Sequence, residues 1–319
     1  MAATTETRDP AYRALTERAG VLDRSELGKL ALTGGQAAEM LNGQVSNDVE
    51  ALAAGTGCYA ALLTNKGKML GDLRVLNAGD ELVLLTERAA LQALFDQLRR
   101  GAIGWDAELH KRTLQHGLLS VIGPHARGVA GASDLPATEH ANRHAELGGA
   151  PVLLVATDLG VDVLCAADDT ARVHDALLHA GGVAVDEAAA EVVRVESGRP
   201  RYGSDLDDTT IPQEAGLNDR AVSFTKGCYV GQETVARLHW RGKPNRHLRG
   251  LRLSAPAVTG TPLRLGDREV GRLGTVVLSP AHGPIALAIV RREAGPGDTL
   301  AVGDGALSAQ VVDLPFRTV

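Results

Sequence analysis

The chain has 319 residues, 44% of them hydrophobic but only 3% aromatic, and a formal net charge of −6. That length suits two or three domains, with cores drawn mainly from Val, Leu and Ala. No run approaches the roughly 18 consecutive apolar residues of a membrane span, and the acidic balance argues against a general nucleic-acid binder, whose affinity rests on neutralising phosphates.

In chain order, Met1 to Pro10 has no apolar stretch of the kind a secretory signal needs. Pro10 to Ala19 predicts a helix with Asp9 as N-cap and Pro10 in its first turn. A strand over Lys29–Thr33 and a helix over Gly35–Leu41 follow. Strands are expected over Tyr59–Thr64 and Met69–Leu76, joined by a hairpin turn at Asn65-Lys66-Gly67-Lys68. Leu82–Thr86 is a further strand, and Glu87–Arg100 a helix with Leu91, Leu94, Phe95 and Leu98 on one face. Residues 131–150 read as loop with one short helix.

The strand–helix–strand unit recurs about 80 residues later, as Val161–Ala166, a helix from Asp168 to Ala180, and a strand from Val183. Two such copies predict two similar α+β subdomains of ferredoxin-like type. Val192–Glu196 alternates like a strand and places Arg194 and Glu196 on one face. Beyond Gly242-Lys243-Pro244 the pattern becomes short strands punctuated by Gly, Pro and Asp, the pattern of a small β-barrel. The expected division is 1–242 for the α+β region and 243–319 for the barrel.

Three cysteines, at 58, 165 and 228, make neither a disulfide framework nor a CxxC pair, which fits a reducing cytoplasm. Cys165, in an apolar strand, and Cys58 read as structural. Cys228 differs: it sits in Lys226-Gly227-Cys228-Tyr229-Val230-Gly231-Gln232-Glu233, beside a lysine and ahead of a helix start. Both neighbours favour thiolate, the nucleophilic and metal-binding form, so Lys226 and Cys228 are candidate catalytic residues. The competing reading is a small buried hydrophobe.

Asp72 lies in a strand otherwise suited to burial, where a carboxylate needs a partner or a raised pKa. Glu196 and Arg194 by themselves would pair with each other. Asn47, in a loop, would by default bond backbone. Tyr202 either packs or stacks on a ligand ring. Gln232 is either a first-turn helix residue or a site residue. Arg237 opens a basic band running to Arg252 in an acidic protein, most of which reads as solvated linker. His140 and His144 read as surface residues rather than metal ligands, and no metal site is expected.

The Lys226–Glu233 string resembles the signature of the YgfZ family of folate-binding proteins, which assist iron–sulfur protein maturation and are relatives of the glycine-cleavage T-protein, an aminomethyltransferase. Leu41–Val49, Leu62–Lys68 with Asp72–Val75, Arg194–Gly198, Tyr202–Asp205 and Ile211–Leu217 follow in that family's order, from about residue 20 to 250. The resemblance implies two α+β units and a C-terminal barrel set in a ring around a folate-sized opening. It implies tetrahydrofolate or a one-carbon derivative as cofactor, with Glu196 of the Arg-x-Glu motif gripping the pterin. Asp72, Asn47, Tyr202, Arg237 and Gln232 are the other folate-contact candidates. Where the aminomethyltransferases carry paired acids, this chain has Gly71 before Asp72.

The leading expectation is a folate-binding protein that supports assembly or repair of iron–sulfur enzymes. Its partners would be the cluster-assembly machinery or cluster-dependent client enzymes, with an influence on cluster-dependent tRNA modification but no direct nucleic-acid contact. Cys228 would be the working thiol, through transient cluster ligation or reaction with a one-carbon unit. The alternatives are a tetrahydrofolate-dependent aminomethyltransferase and a folate-binding scaffold with an inert cysteine.

Overall fold

The computed structural model describes residues 9–317; the N-terminal segment read above for a signal lies mostly outside that range. Helix α1 (Pro10–Glu17) leads into β1 (Gly20–Asp23), β2 (Gly28–Thr33) and α2 (Ala37–Gln44). Then come β3 (Gly57–Leu63), β4 (Met69–Asn77), β5 (Leu82–Thr86), α3 (Leu91–Gly101), β6 (Glu108–Lys111) and β7 (His116–Ile122). The next stretch holds α4 (Ala126–Val129), β8 (Asn142–Leu147), β9 (Ala150–Ala156), β10 (Gly160–Ala166), α5 (Thr170–His179), β11 (Val183–Ala184) and α6 (Glu187–Glu196). Short α7 (Asn218–Ala221) and α8 (Gln232–Arg241) precede the strands β12 (Arg246–Leu253), β13 (Pro262–Leu265), β14 (Arg268–Arg272) and β15 (Val276–Ser279). Strands β16 (Gly283–Arg291), β17 (Thr299–Val302) and β18 (Leu307–Val312) complete the described chain.

The strands form three sheets. One has the order β3-β4-β5-β2-β6 and a second β11-β1-β7-β10-β9-β8. The third runs β12-β18-β17-β13-β14-β16-β15, and pairing of β12 with β16 closes six of its strands into a barrel. The expected α+β architecture, two ferredoxin-like sheets and a C-terminal barrel, is therefore what the chain forms. Each ferredoxin-like sheet buries one face under its own helices: Leu30, Leu84, Leu94 and Leu98 in the first, Val121, Val163, Val173 and Leu177 in the second. Their other faces meet through Leu76, Val83, Leu118, Leu153 and Leu164. Side-chain alternation along a strand makes both contacts available to one sheet.

Three sequence expectations give way here. Residues 192–196 are the end of helix α6, not a strand. Asp186 caps that helix by accepting from the Ala189 amide at 2.9 Å, and Ala189, Ala190 and Val193 pack on Tyr12 and Leu15. A five-residue alternation is too short to distinguish the two periods, and the alanines upstream decide it. The segment 131–150 contains β8 and the start of β9 rather than a helix. The basic band is also less of a linker than expected, since Arg237 to Arg241 finish α8 and Arg246 to Arg252 lie in β12. Among the described residues no helix is long and apolar enough to cross a membrane.

Candidate functional site

Where the two ferredoxin-like sheets, α6, α7 and the loop after α6 converge, the chain leaves a charged cleft with two lobes of about 210 and 140 Å³. Tyr59, Arg74, Glu87 and Leu27 border both lobes, so the two adjoin. A third hollow, bordered by Leu248, Arg249 and Leu314 at the barrel, shares Arg199 and Arg220 with the larger lobe. The opening thus sits where all three units meet.

Strand register builds the smaller lobe. Tyr59 on β3 stands opposite Arg74 on β4, and Ala61 opposite Asp72, so Tyr59 and Asp72 are diagonal neighbours on one face. The Tyr59 hydroxyl donates to Asp72 Oδ2 at 2.6 Å. Asp72 is 6% exposed; burial raises its pKa, and the Tyr59 hydrogen bond opposes that rise. Glu87 shares the lobe, its carboxyl also pushed upward by burial and pulled back by Arg201, whose Nε lies 3.3 Å away. Tyr202 closes the lobe beside Arg201.

The larger lobe is walled by ion pairs. Arg74 meets Asp162 at 2.5 Å, and Asp162 also accepts from Ser120. Arg199 meets Asp158 at 2.5 Å. Arg220, from α7, pairs with Glu139 and lies over the Tyr59 ring at 5.3 Å. Arg194 is nearly buried and binds Glu191 and the fully buried Asp205, while its Nη2 donates to Thr275 of the barrel. It therefore ties the cleft wall to the barrel. Breaking such a pair strands a buried carboxylate, at a cost of about 3–5 kcal/mol.

Of the sequence candidates, Asp72 and Tyr202 line this cleft. Asn47 stands behind its wall: its amide donates to the backbone carbonyls of Tyr59 and Arg220 at 2.8 and 3.1 Å, fixing two strands of chain that present cleft residues. Glu196 lies elsewhere and does not pair with Arg194. Its carboxylate accepts from Tyr12 and from Ser279 of the barrel, at 3.1 and 2.5 Å.

The other candidates sit around α8. Lys226 does not lean on the Cys228 sulfur. Its ammonium donates to the carbonyls of Asn42, Val45 and Asn47 at 2.5, 3.0 and 2.7 Å, gathering the end of α2 and the loop that follows. Burial brings its pKa down to about 8, with Asp48 pulling the other way. Tyr229 is buried in a cluster with Leu63 and Met69, and the Val230 amide donates to Gly43. Anchored on both sides, the loop leaves Cys228 exposed between them. Gly231 then turns the chain at φ 84°, and a Cβ there would stand 2.5 Å from the Thr64 carbonyl oxygen. That close approach seats α8 on the β3–β4 hairpin. Gln232 opens α8 and Arg237 is exposed along it; neither borders the cleft.

Cys165 is buried in the second core, and Cys58 packs against the first with its thiol pushed up to about 12 by burial, so both are structural. His140 and His144 are not partners. His144 is exposed and faces the Ala78 carbonyl, whereas His140 is buried at the cleft, contrary to the surface reading. A separate, largely apolar cleft of about 290 Å³ between the two sheets has Lys29 in its wall. That ammonium is spent on the Ser25 and Leu27 carbonyls.

Sequence reasoning missed Tyr59, Glu87, Arg201, Arg220 and Glu139. One signal was present: β4 alternation places Arg74 on the same face as Asp72. Tyr59 lies on β3, and the rest come from loops and the short α7 that only the tertiary fold brings together.

Two ferredoxin-like sheets and a closed six-strand barrel make a fold with solved examples. The glycine cleavage system aminomethyltransferase T from Bartonella henselae matches 97% of this chain and 89% of its own with a TM-score of 0.86, at 23% identity, which establishes the common fold. An aminomethyltransferase of Rubrobacter xylanophilus is 26% identical over 96% of this chain and 85% of its own length. A chloroplastic protein of Arabidopsis thaliana, named as a transferase, is 26% identical over 97% of this chain and 73% of its own. The GCVT N-terminal domain pattern matches residues 4–226, and the chain belongs to that family.

Proposed function

We propose that the central cleft binds tetrahydrofolate or a one-carbon derivative, and that the protein uses this binding to support assembly or repair of iron–sulfur enzymes. The observation that carries the folate reading is Asp72: a buried carboxylate, held by Tyr59, in a lobe that also presents Glu87 and Tyr202. A pterin offers an amino group beside a ring N–H, and a carboxylate accepts such a pair with charge-assisted strength. Tyr202 supplies a ring to stack on it. Arg199, Arg220 and Arg249 of the barrel-side hollow suit the carboxylates of a glutamyl tail. Family membership and the aminomethyltransferase relative support the same ligand.

The iron–sulfur part rests on the Cys228 loop and its resemblance to the YgfZ signature. An exposed thiol held between two anchored residues is presented to an external partner rather than to the cleft. Aminomethyl transfer is the second reading. Against it stands Gly71, where a Cβ would lie 2.5 Å from the Ala90 Cβ, so the chain has no room there for the first acid of a pair.

The test is Cys228→Ala. Tetrahydrofolate affinity should be unchanged, while activity of a cluster-dependent enzyme should not be restored in cells lacking the wild-type protein. Full restoration would leave a folate-binding scaffold. Methylene-tetrahydrofolate formation from an aminomethyl-lipoyl donor by the wild type would establish the transferase instead.

A further inference from the structure

His140 is the one non-glycine residue with a positive φ, 69°, among the described residues. Such backbone is costly, and it clusters at ligand clamps and other functional sites. Its main chain is fixed there: the amide donates to the Ala156 carbonyl at 2.8 Å, and the carbonyl accepts from Asn142 Nδ2 at 3.1 Å. Gly57 makes room for it, since a Cβ at Gly57 would stand 2.9 Å from the His140 Cβ.

What this strained position secures is an imidazole in the wall of the larger lobe. The side chain is 6% exposed, and neither ring nitrogen has a hydrogen-bond partner. The nearest acidic atom, Glu139 Oε1, lies 3.7 Å from Nε2, beyond hydrogen-bond range, and Glu139 is already held by Arg220. Buried polar groups in native proteins are almost always paired, so two orphaned nitrogens on one ring call for an explanation. Burial, with Arg74 and Arg220 nearby, brings the imidazole pKa down to about 3 against the pull of Asp162. The ring is therefore neutral at physiological pH and offers one donor and one acceptor.

We propose that His140 is a specificity-determining residue of the cleft, whose ring nitrogens find their hydrogen bonds in a bound heterocycle that itself carries both a donor and an acceptor. The inference rests on the folate reading, and within it assigns His140 to the pterin rather than to the glutamyl tail. A neutral imidazole adds little for a carboxylate that the surrounding arginines already serve, but it matches the mixed donor and acceptor edge of a pterin.

The experiment is titration of tetrahydrofolate, and separately of p-aminobenzoyl-glutamate, into wild type, His140→Phe and His140→Asn. Phenylalanine keeps the ring and removes the nitrogens; asparagine tolerates positive φ and keeps a donor and an acceptor. His140→Phe should lose about 10-fold or more in tetrahydrofolate affinity, with p-aminobenzoyl-glutamate binding unchanged. His140→Asn should bind tetrahydrofolate within a few-fold of wild type. In histidine-15N-labelled wild type, the His140 ring nitrogen signals should shift on saturation with tetrahydrofolate. Undiminished tetrahydrofolate binding by His140→Phe, or ring signals that do not move, would overturn the inference and leave the folate reading intact. Absence of tetrahydrofolate binding by the wild type would overturn both. Should His140→Phe not fold, the wild-type ring signals decide the matter.

Discussion

The central cleft and the Cys228 loop are built in opposite ways. The cleft draws Tyr59, Asp72, Glu87, Arg201, Arg220 and His140 from positions spread over about half the chain, and its charges are paired before any ligand arrives. The loop is one continuous string, anchored at Lys226 and Tyr229, with its thiol turned out to solvent. A recognition pocket needs groups on rigid elements to converge, whereas a presented thiol needs only two pins and a turn. The contrast supports treating them as two separable parts of the proposed function: binding inside the cleft, and exchange with a partner outside it.

The strongest way to break the contrast is at Arg194, which joins the cleft wall to the barrel. Arg194→Met should strand Asp205 and Glu191 and cost about 3–5 kcal/mol of stability, measured by denaturant unfolding. Tetrahydrofolate affinity should fall with it, because α6 and the barrel would no longer hold one wall. A loss below about 1 kcal/mol would show that the ring closes without this pair.

A smaller effect is expected on the loop side. Gly231→Ala places a Cβ against the Thr64 carbonyl at a backbone angle that disfavours side chains. The expected cost is about 1–3 kcal/mol. Because α8 does not line the cleft, tetrahydrofolate affinity should stay within about 2-fold of wild type while modification of Cys228 by a thiol reagent changes rate. If folate affinity dropped along with stability, the two regions would be coupled and the separation would fail.

Much of the fold was legible in the sequence. The β3–β4 hairpin, β5 with α3, and β10 with α5 all announced themselves through period and turn chemistry, because each is a local unit with a clear apolar face. Strand β7 and the β8–β9 pair were not, since β7 is buried on both faces and lacks alternation, while β8 is polar enough to read as loop. The site was legible only in part. Asp72 stood out because a carboxylate in an apolar strand is costly. Glu196 stood out too, yet its place at the end of a helix directs it to Tyr12 and Ser279. Lys226 looked like an activator of its sequence neighbour, but three carbonyls from α2 and the loop after it outcompete a solvated thiol for the ammonium. Arg220, Glu139 and His140 could not be found at all, because nothing in their own segments distinguishes them from surface residues.

The central claim is that the buried Asp72 carboxylate recognises a pterin. Calorimetric titration of tetrahydrofolate into wild type and Asp72→Asn tests it most directly, since asparagine keeps the shape but replaces one acceptor oxygen with a donor. The account predicts measurable binding by the wild type and at least about 10-fold weaker binding by the variant. Equal affinity for the two proteins would contradict it.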